Sequence, residues 1–199
     1  MSEVVIVDAG GANVASVRYA LERLGVSPVL SAEPERIRRA GHVILPGVGA
    51  AADAMQRLRA AGLERVIPAL RQPVLGICLG MQLLYAASAE GDTECLGVLP
   101  GRAVRFTPAP DRPVPHMGWN RIEFSAGAGL LNGIAPGAHL YFVHSYALPP
   151  GPDTRATCDY GGAFTALVGR ANFHGVQFHP ERSAAAGARL LANFLALGG

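Results

Sequence analysis

The chain contains no lysine, and all 17 of its basic residues are arginine. The absence of a lysine side chain excludes Schiff-base chemistry on a lysine amine. Charged residues make up only 16% of the 199 residues, and the formal net charge is +2. A net charge this small gives no reason to expect nucleic acid or a membrane surface as a partner.

Cysteine is also scarce, and the three cysteines, Cys78, Cys95 and Cys158, are far apart in the sequence. No CxxC pair or closely spaced His/Cys group has the spacing of a zinc site, so we expect neither a metal nor another cofactor. No apolar run approaches the roughly 18 residues of a membrane span. Residues 2–8 have the pattern of a strand with an early acid, unlike a signal peptide. These absences predict a cytoplasmic protein.

The first half of the chain alternates strand-like and helix-like segments. Apolar runs at residues 4–7, 28–30, 43–45 and 74–77 are typical of buried strands. Helical spacing of apolar residues covers 13–24, 33–39 and 50–70, with a break at Gly62. This alternation predicts an α/β fold with a flavodoxin-like open, mostly parallel sheet and helices on both faces. Active sites in such folds lie at the carboxyl ends of the strands.

The pattern changes after about residue 95, where proline and glycine become frequent. Short β-like segments follow at residues 103–106, 120–124, 140–143, 154–158 and 163–168. They predict an antiparallel β layer added to the parallel core. Ser183 is expected to cap a closing helix. Because there is no repeat and no low-complexity linker, we expect one domain over residues 1–199.

Cys78 lies in the sequence GICLG (residues 76–80), between a strand-like and a helix-like segment. This arrangement matches a nucleophile elbow with sulfur in place of the commoner serine oxygen. Glycines relieve the crowding of a sharp strand-to-helix turn, and the positive end of the helix dipole favours thiolate. The alternative is a buried core cysteine without a chemical role.

A second motif, GVQFHPE at residues 175–181, supplies a possible base. Pro180 ends a short strand, and side chains two apart in an extended segment point the same way, so His179 and Glu181 can share a side. A carboxylate beside an imidazole fixes its tautomer and stabilises the imidazolium that a cysteine nucleophile requires. An isolated histidine is more often structural.

Two glycine-rich turns follow predicted strands. The turn at residues 10–12 lacks the third glycine of GxGxxG, so a dinucleotide site is not expected there. The turn at residues 46–49, near Cys78, can present a backbone N–H to a developing oxyanion. We therefore predict an oxyanion hole from Gly47, Val48 and Leu79, the residue after the nucleophile. An ordinary strand-to-helix turn is the alternative for residues 46–49.

Taken together, these motifs resemble those of the class I, triad-type glutamine amidotransferases. DAGGAN (8–13), LPGVG (45–49), PHMGWN (115–120) and YFVHSY (141–146) further resemble the glutaminase subunits of imidazole glycerol phosphate synthases. The resemblance implies that Cys78, His179 and Glu181 hydrolyse glutamine, with Gln82, Ser145 and Tyr146 as substrate-binding residues. It also implies a heterodimer with a (βα)₈-barrel cyclase that uses the ammonia in histidine biosynthesis. The implied interface residues are Asn13, Trp119, Tyr141 and Arg182.

Two other functions stay open at this stage. One is a glutaminase serving a different synthase, although such relatives usually carry another turn in place of residues 46–49. The other is a catalytically silent relative that binds or regulates, although the presence of all three triad residues argues against it. Two further histidines, His116 and His144, are interpreted as structural.

Overall fold

The computed structural model describes residues 3–8, 14–125 and 129–198. The strands are β1 (Val4–Val7), β2 (Val29–Ser31), β3 (His42–Gly47), β4 (Val74–Cys78), β5 (Tyr85–Ser88), β6 (Thr93–Glu94), β7 (Leu99–Arg105), β8 (His116–Glu123), β9 (His139–His144), β10 (Tyr146–Ala147), β11 (Thr154–Asp159), β12 (Ala163–Arg170) and β13 (Phe173–Val176). The α-helices are α1 (Val14–Arg23), α2 (Pro34–Arg39), α3 (Ala51–Ala60), α4 (Leu63–Val66), α5 (Leu79–Leu83) and α6 (Ala184–Leu195).

A nine-stranded sheet forms the centre, in the order β2-β1-β3-β4-β13-β12-β11-β8-β9. The pairs from β2 to β13 are parallel. The pairs from β13 to β9 are antiparallel. A four-stranded sheet, β10-β7-β5-β6, adds a further layer with two antiparallel pairs and one parallel pair. The predicted α/β class is confirmed, and most of the antiparallel strands extend the central sheet.

Two apolar cores lie on opposite faces of the central sheet. Alternate residues of β1 separate between them, since Val4 and Ile6 belong to one core while Val5 and Val7 belong to the other. Helices α1 and α6 pack into the first core, and α2, α3 and α4 pack into the second. The period-2 alternation of a strand thus buries both faces of β1, as expected for a parallel sheet covered by helices.

Several element boundaries differ from the sequence-based expectations. The long helical pattern is interrupted as predicted, because Gly62 has a left-handed backbone with φ of 68° between α3 and α4. Strand β3 continues through Gly47, past the expected end at residue 45. The helix after Cys78 ends at Leu83, and Tyr85 begins a strand.

In the described part of the chain, no helix is long and apolar enough to cross a membrane.

Candidate active site

Cys78 lies on a strained turn between β4 and α5. Its backbone has φ of 53° and ψ of −111°, a conformation that L-residues rarely adopt. The turn is tight enough that a Cβ on Gly80 would lie 1.8 Å from the carbonyl oxygen of Leu45. A Cβ on Gly76 would lie 2.7 Å from the carbonyl oxygen of Gly80. These glycines permit the elbow that the sequence predicts, and such strain is typical of functional sites.

The sheet topology brings His179 to Cys78. Strand β13 lies parallel to β4, with Val176 opposite Ile77, so both strands end at the same edge of the sheet. The His179 ring then makes a 2.8 Å hydrogen bond from Nδ1 to Oε1 of Glu181. Both side chains are buried, with 7% and 2% of their surfaces exposed. The structure therefore brings together the three residues that the sequence singled out.

The electrostatics of this group favour a charged imidazole. Burial opposes the charge on His179, but the neighbouring Cys78 sulfur and the hydrogen-bonded carboxylate of Glu181 outweigh it and raise its pKa to about 10. Among the described atoms, Nε2 of His179 is buried without a hydrogen-bond partner in the geometry. Nε2 is therefore the nitrogen left to act on a ligand next to the Cys78 sulfur.

Ser183 has a role that the sequence did not predict. It occupies the N-cap position of α6, but its side chain makes no capping hydrogen bond. Instead its hydroxyl donates to the carbonyl of His179 at 2.7 Å and accepts from the amide of Tyr141 at 3.0 Å. The amide of His179 donates in turn to the carbonyl of Tyr141 at 2.9 Å. Ser183 thus ties residues 177–183 to β9. Its predicted position at the N-cap of α6 is confirmed, but its side chain does not make the capping hydrogen bond.

A cavity of about 300 Å³ opens over Cys78 and His179. All three predicted substrate-binding residues, Gln82, Ser145 and Tyr146, line it. Of the predicted oxyanion residues, Val48 and Leu79 also line it. Gly47 is not among the residues that line the cavity. It lies behind the elbow, where an added Cβ would stand 2.7 Å from the amide nitrogen of Gly80.

Two further residues of the site were missed by sequence reasoning. Glu90 contributes a carboxylate to the cavity wall, and its Oε2 accepts a 2.8 Å hydrogen bond from the amide of Ala51 at the start of α3. Gln177 is fully buried, and its Nε2 lies 3.7 Å from the sulfur of Cys78. The sequence signal for Gln177 was a polar side chain between two apolar residues in GVQFHPE. No sequence signal pointed to Glu90.

The residues predicted at an interface form a cluster on the surface. The Trp119 and Tyr141 rings meet edge to face with centroids 6.0 Å apart. The Arg182 guanidinium lies over the Tyr141 ring at 4.6 Å. Strand β9 thus places an aromatic ring beside Arg182. Asn13, and the glycine-rich turn before it, lie outside the described residues.

No cluster of His, Cys, Asp or Glu suited to a metal ion occurs in the described ranges. All three cysteines are free thiols. Burial raises the pKa of Cys95 to about 11 and that of Cys158 to about 12. Both therefore stay protonated at neutral pH and are poor nucleophiles there. Cys78 is the thiol that the fold places beside a base.

Comparison with known proteins assigns the chain to a family. The family model for glutamine amidotransferase class-I matches residues 5–197. The chain is 55% identical over 195 residues to imidazole glycerol phosphate synthase subunit HisH of Xylella fastidiosa (strain Temecula1 / ATCC 700964), covering 98% of each chain. The corresponding subunit of Xanthomonas axonopodis pv. citri (strain 306) is also 55% identical over 195 residues, with the same coverage.

Solved structures support the fold. A glutamine amidotransferase crystal structure superposes with a TM-score of 0.74 at 23% identity, covering 96% of each chain. A structure of PurLQS from Thermotoga maritima also gives a TM-score of 0.74, at 18% identity and 98% coverage of each chain. At these identities the likeness concerns the fold alone. On the family match and the identity to curated relatives, the chain belongs to the class I glutamine amidotransferases and, within them, to the HisH subunits of imidazole glycerol phosphate synthase.

Proposed function

We propose that residues 1–199 form one glutaminase domain that hydrolyses glutamine through Cys78, His179 and Glu181. The ammonia passes to a separate (βα)₈-barrel cyclase that makes imidazole glycerol phosphate in histidine biosynthesis. The observation that carries the proposal is the buried 2.8 Å bond between His179 and Glu181, beside a cysteine at φ of 53°. A nucleophile, a base and a group that orients the base are thus present together.

The reaction follows from these groups. The Cys78 thiolate attacks the side-chain carboxamide carbon of glutamine, and the backbone amides of Val48 and Leu79 stabilise the oxyanion. The C–N bond then breaks as the His179 imidazolium gives its Nε2 proton to the leaving nitrogen, which departs as ammonia. The neutral ring next takes a proton from water, whose oxygen attacks the γ-glutamyl thioester. The C–S bond breaks, releasing glutamate and restoring thiolate and imidazolium.

The cavity suits an amino acid as substrate. Glutamine carries an α-ammonium group, and Glu90 provides the one carboxylate among the described residues that line the cavity. We assign Glu90 to that group, because opposite charges in a partly dry pocket attract strongly. Gln82, Ser145 and Tyr146 are assigned to hold the rest of the substrate. A volume of about 300 Å³ is at the small end of ligand pockets, as this substrate requires.

The exposed cluster at Trp119 supports the proposed partner surface. Met117 and Trp119 are 67% and 53% exposed on β8, next to Tyr141 and Arg182. Exposed aromatic, methionine and arginine side chains are enriched at protein interfaces. We propose that Trp119, Tyr141 and Arg182 contact the cyclase, together with Asn13, which the sequence resemblance suggests.

Reconstitution with the cyclase tests this function. We expect Cys78→Ala to abolish glutamine-dependent synthesis while synthesis from added ammonium salt continues, because the cyclase's own site is unchanged. Cys158→Ala is the matched control, since this buried thiol lies outside the cavity. Glutamine hydrolysis by Cys78→Ala at the wild-type rate would refute the mechanism. A wild-type chain without glutaminase activity in any complex would indicate a silent relative, and stimulation only by another synthase would indicate a different partner.

A further inference from the structure

A buried pair of histidines lies beside the active-site cavity. His116 on β8 and His144 on β9 are directly opposite each other in the antiparallel register. Nδ1 of His116 is 3.1 Å from Nε2 of His144, and the residues are only 4% and 6% exposed. His144 lines the cavity, whereas His116 does not. The proposed mechanism uses neither ring, so the pair calls for a physical explanation.

The direction of the hydrogen bonds is fixed at the outer end by Asn120. Its Oδ1 accepts from the amide of Arg121 at 2.8 Å, and its Nδ2 donates to the carbonyl of Asp159 at 2.9 Å. These two backbone groups determine which way the amide faces. The same Nδ2 lies 3.2 Å from Nε2 of His116 and has a second hydrogen to donate. Nε2 of His116 is therefore an acceptor.

The direction is fixed independently at the inner end. Nδ1 of His144 lies 2.8 Å from the carbonyl oxygen of Tyr146, which only accepts, so this nitrogen carries the proton. Nε2 of His144 is then free to accept from Nδ1 of His116. Both ends demand the same tautomer in both rings. A second proton on either ring would place two N–H donors opposite each other. Burial also disfavours the charged rings and lowers the pKa of His116 to about 4 and that of His144 to about 3.

The chain of hydrogen bonds continues from Tyr146 to the nucleophile. The carbonyl of Tyr146 also accepts from Nε2 of Gln82 at 2.8 Å. The same Nε2 donates to Oε1 of Gln177 at 2.9 Å, and Nε2 of Gln177 lies 3.7 Å from the sulfur of Cys78. Both amide hydrogens of Gln82 are thereby used within the protein. Its Oε1 is left for the substrate.

We propose that His116 and His144 are positioning residues, which hold the Tyr146 carbonyl and, through Gln82 and Gln177, the Cys78 sulfur in the reactive arrangement. This inference rests on the proposed glutaminase function. Each ring accepts one hydrogen bond and donates one, in the direction from Asn120 to the carbonyl of Tyr146. Neither ring exchanges a proton during turnover. The pair therefore acts on the reaction through the residues that touch substrate.

Two substitutions of His116 separate hydrogen bonding from packing. The ring stacks on Tyr160 and Phe142 with centroids 4.1 Å and 5.0 Å away. His116→Phe keeps this stacking but loses the donor to His144, whereas His116→Asn loses the stacking and keeps a donor at the Nδ1 position. In the cyclase complex we expect His116→Phe to lower kcat/KM about ten- to hundredfold, mostly in kcat, the usual range for an unpartnered buried polar group. His116→Asn should stay within about threefold of wild type despite a lower Tm.

The control is Phe164→Leu, which weakens the packing against both rings and leaves the hydrogen bonds intact. It should lower Tm with little change in kcat. Equal losses in the two His116 variants, wild-type activity in His116→Phe, or losses that merely follow Tm would overturn the proposal. If wild type itself failed to hydrolyse glutamine, the proposed function would fail instead.

A second measurement needs neither activity nor a variant that folds. ¹⁵N spectra of the imidazole rings in the wild-type chain report the tautomer of each neutral histidine. We expect two rings to be neutral and protonated at Nδ1 at about pH 6, whereas a free neutral histidine prefers Nε2–H. If the rings of His116 and His144 were protonated at Nε2, or titrated near pH 6.5, the proposed hydrogen-bond arrangement would be overturned.

Discussion

Replacing Glu181 by glutamine is expected to lower the pKa of His179 and slow glutamine hydrolysis. The substitution preserves the shape of a side chain that is 2% exposed and removes its charge. For a hydrogen bond of 2.8 Å, the charge centres lie roughly 4 Å apart. At an effective dielectric constant of about 20 this gives an interaction of about 4 kcal/mol, or up to about 3 pKa units.

The pKa of His179 should fall because the Glu181 carboxylate favours the protonated ring. A negative charge stabilises imidazolium, so its removal lowers the pKa of His179 from about 10 toward neutrality. At neutral pH a smaller fraction of the ring is then imidazolium, and the neutral ring is a weaker base toward water, so kcat should fall about 10²- to 10⁴-fold.

The assay is the pH dependence of kcat/KM together with an NMR titration of His179. Glu123→Gln, at an exposed carboxylate paired with Arg121, is the control and should change neither. A Glu181→Gln variant whose His179 pKa and kcat both match wild type would refute the electrostatic reasoning.

Three further predictions concern folding, assembly and pH. Gly80→Ala should lower Tm and abolish activity because its Cβ would strike backbone at 1.8 Å, whereas Gly151→Ala, with nothing within 4 Å, should leave Tm unchanged. Arg182→Ala should weaken cyclase binding about two- to fivefold by calorimetry, as for a rim contact; superimposable binding curves would remove it from the interface. In the unfolded chain His116 and His144 take up protons near pH 6.5, whereas in the folded protein they do so only near pH 4 and pH 3. The free energy of unfolding, measured by denaturant titration, should therefore fall as the pH drops from 6.5 to 4, by up to about 1.4 kcal/mol per pH unit for each ring. A free energy of unfolding that does not change over this range would contradict the lowered pKa values.

The parallel core and the catalytic group were predictable from sequence because their signals are local. The strand before Cys78 is a short apolar run that follows Pro73. The strand before His179 was expected to continue to Pro180 but ends at Val176. A parallel sheet brings strand ends to one edge, so the α/β pattern placed Cys78 at that edge, and the family resemblance implied His179 and Glu181 beside it.

Features that depend on long-range register were not predictable. The pairing of His116 with His144 exists because β8 and β9 align in one particular register, and no local pattern encodes that alignment. The stacking of Arg182 on Tyr141 arises likewise from the packing of residues 177–183 on β9. Ser183 had the local pattern of a helix cap, but tertiary contacts with His179 and Tyr141 took its hydroxyl instead.

The central claim is that Cys78 carries a covalent γ-glutamyl group during turnover. The measurement is mass spectrometry of the cyclase complex, acid-quenched while it consumes glutamine, followed by peptide mapping of all three cysteines. The account predicts one glutamyl group on the peptide that contains Cys78, with Cys95 and Cys158 unmodified, and no adduct in Cys78→Ala. A complex that turns over glutamine without this adduct in quench experiments fast enough to trap it, or with the adduct on another cysteine, would contradict the account.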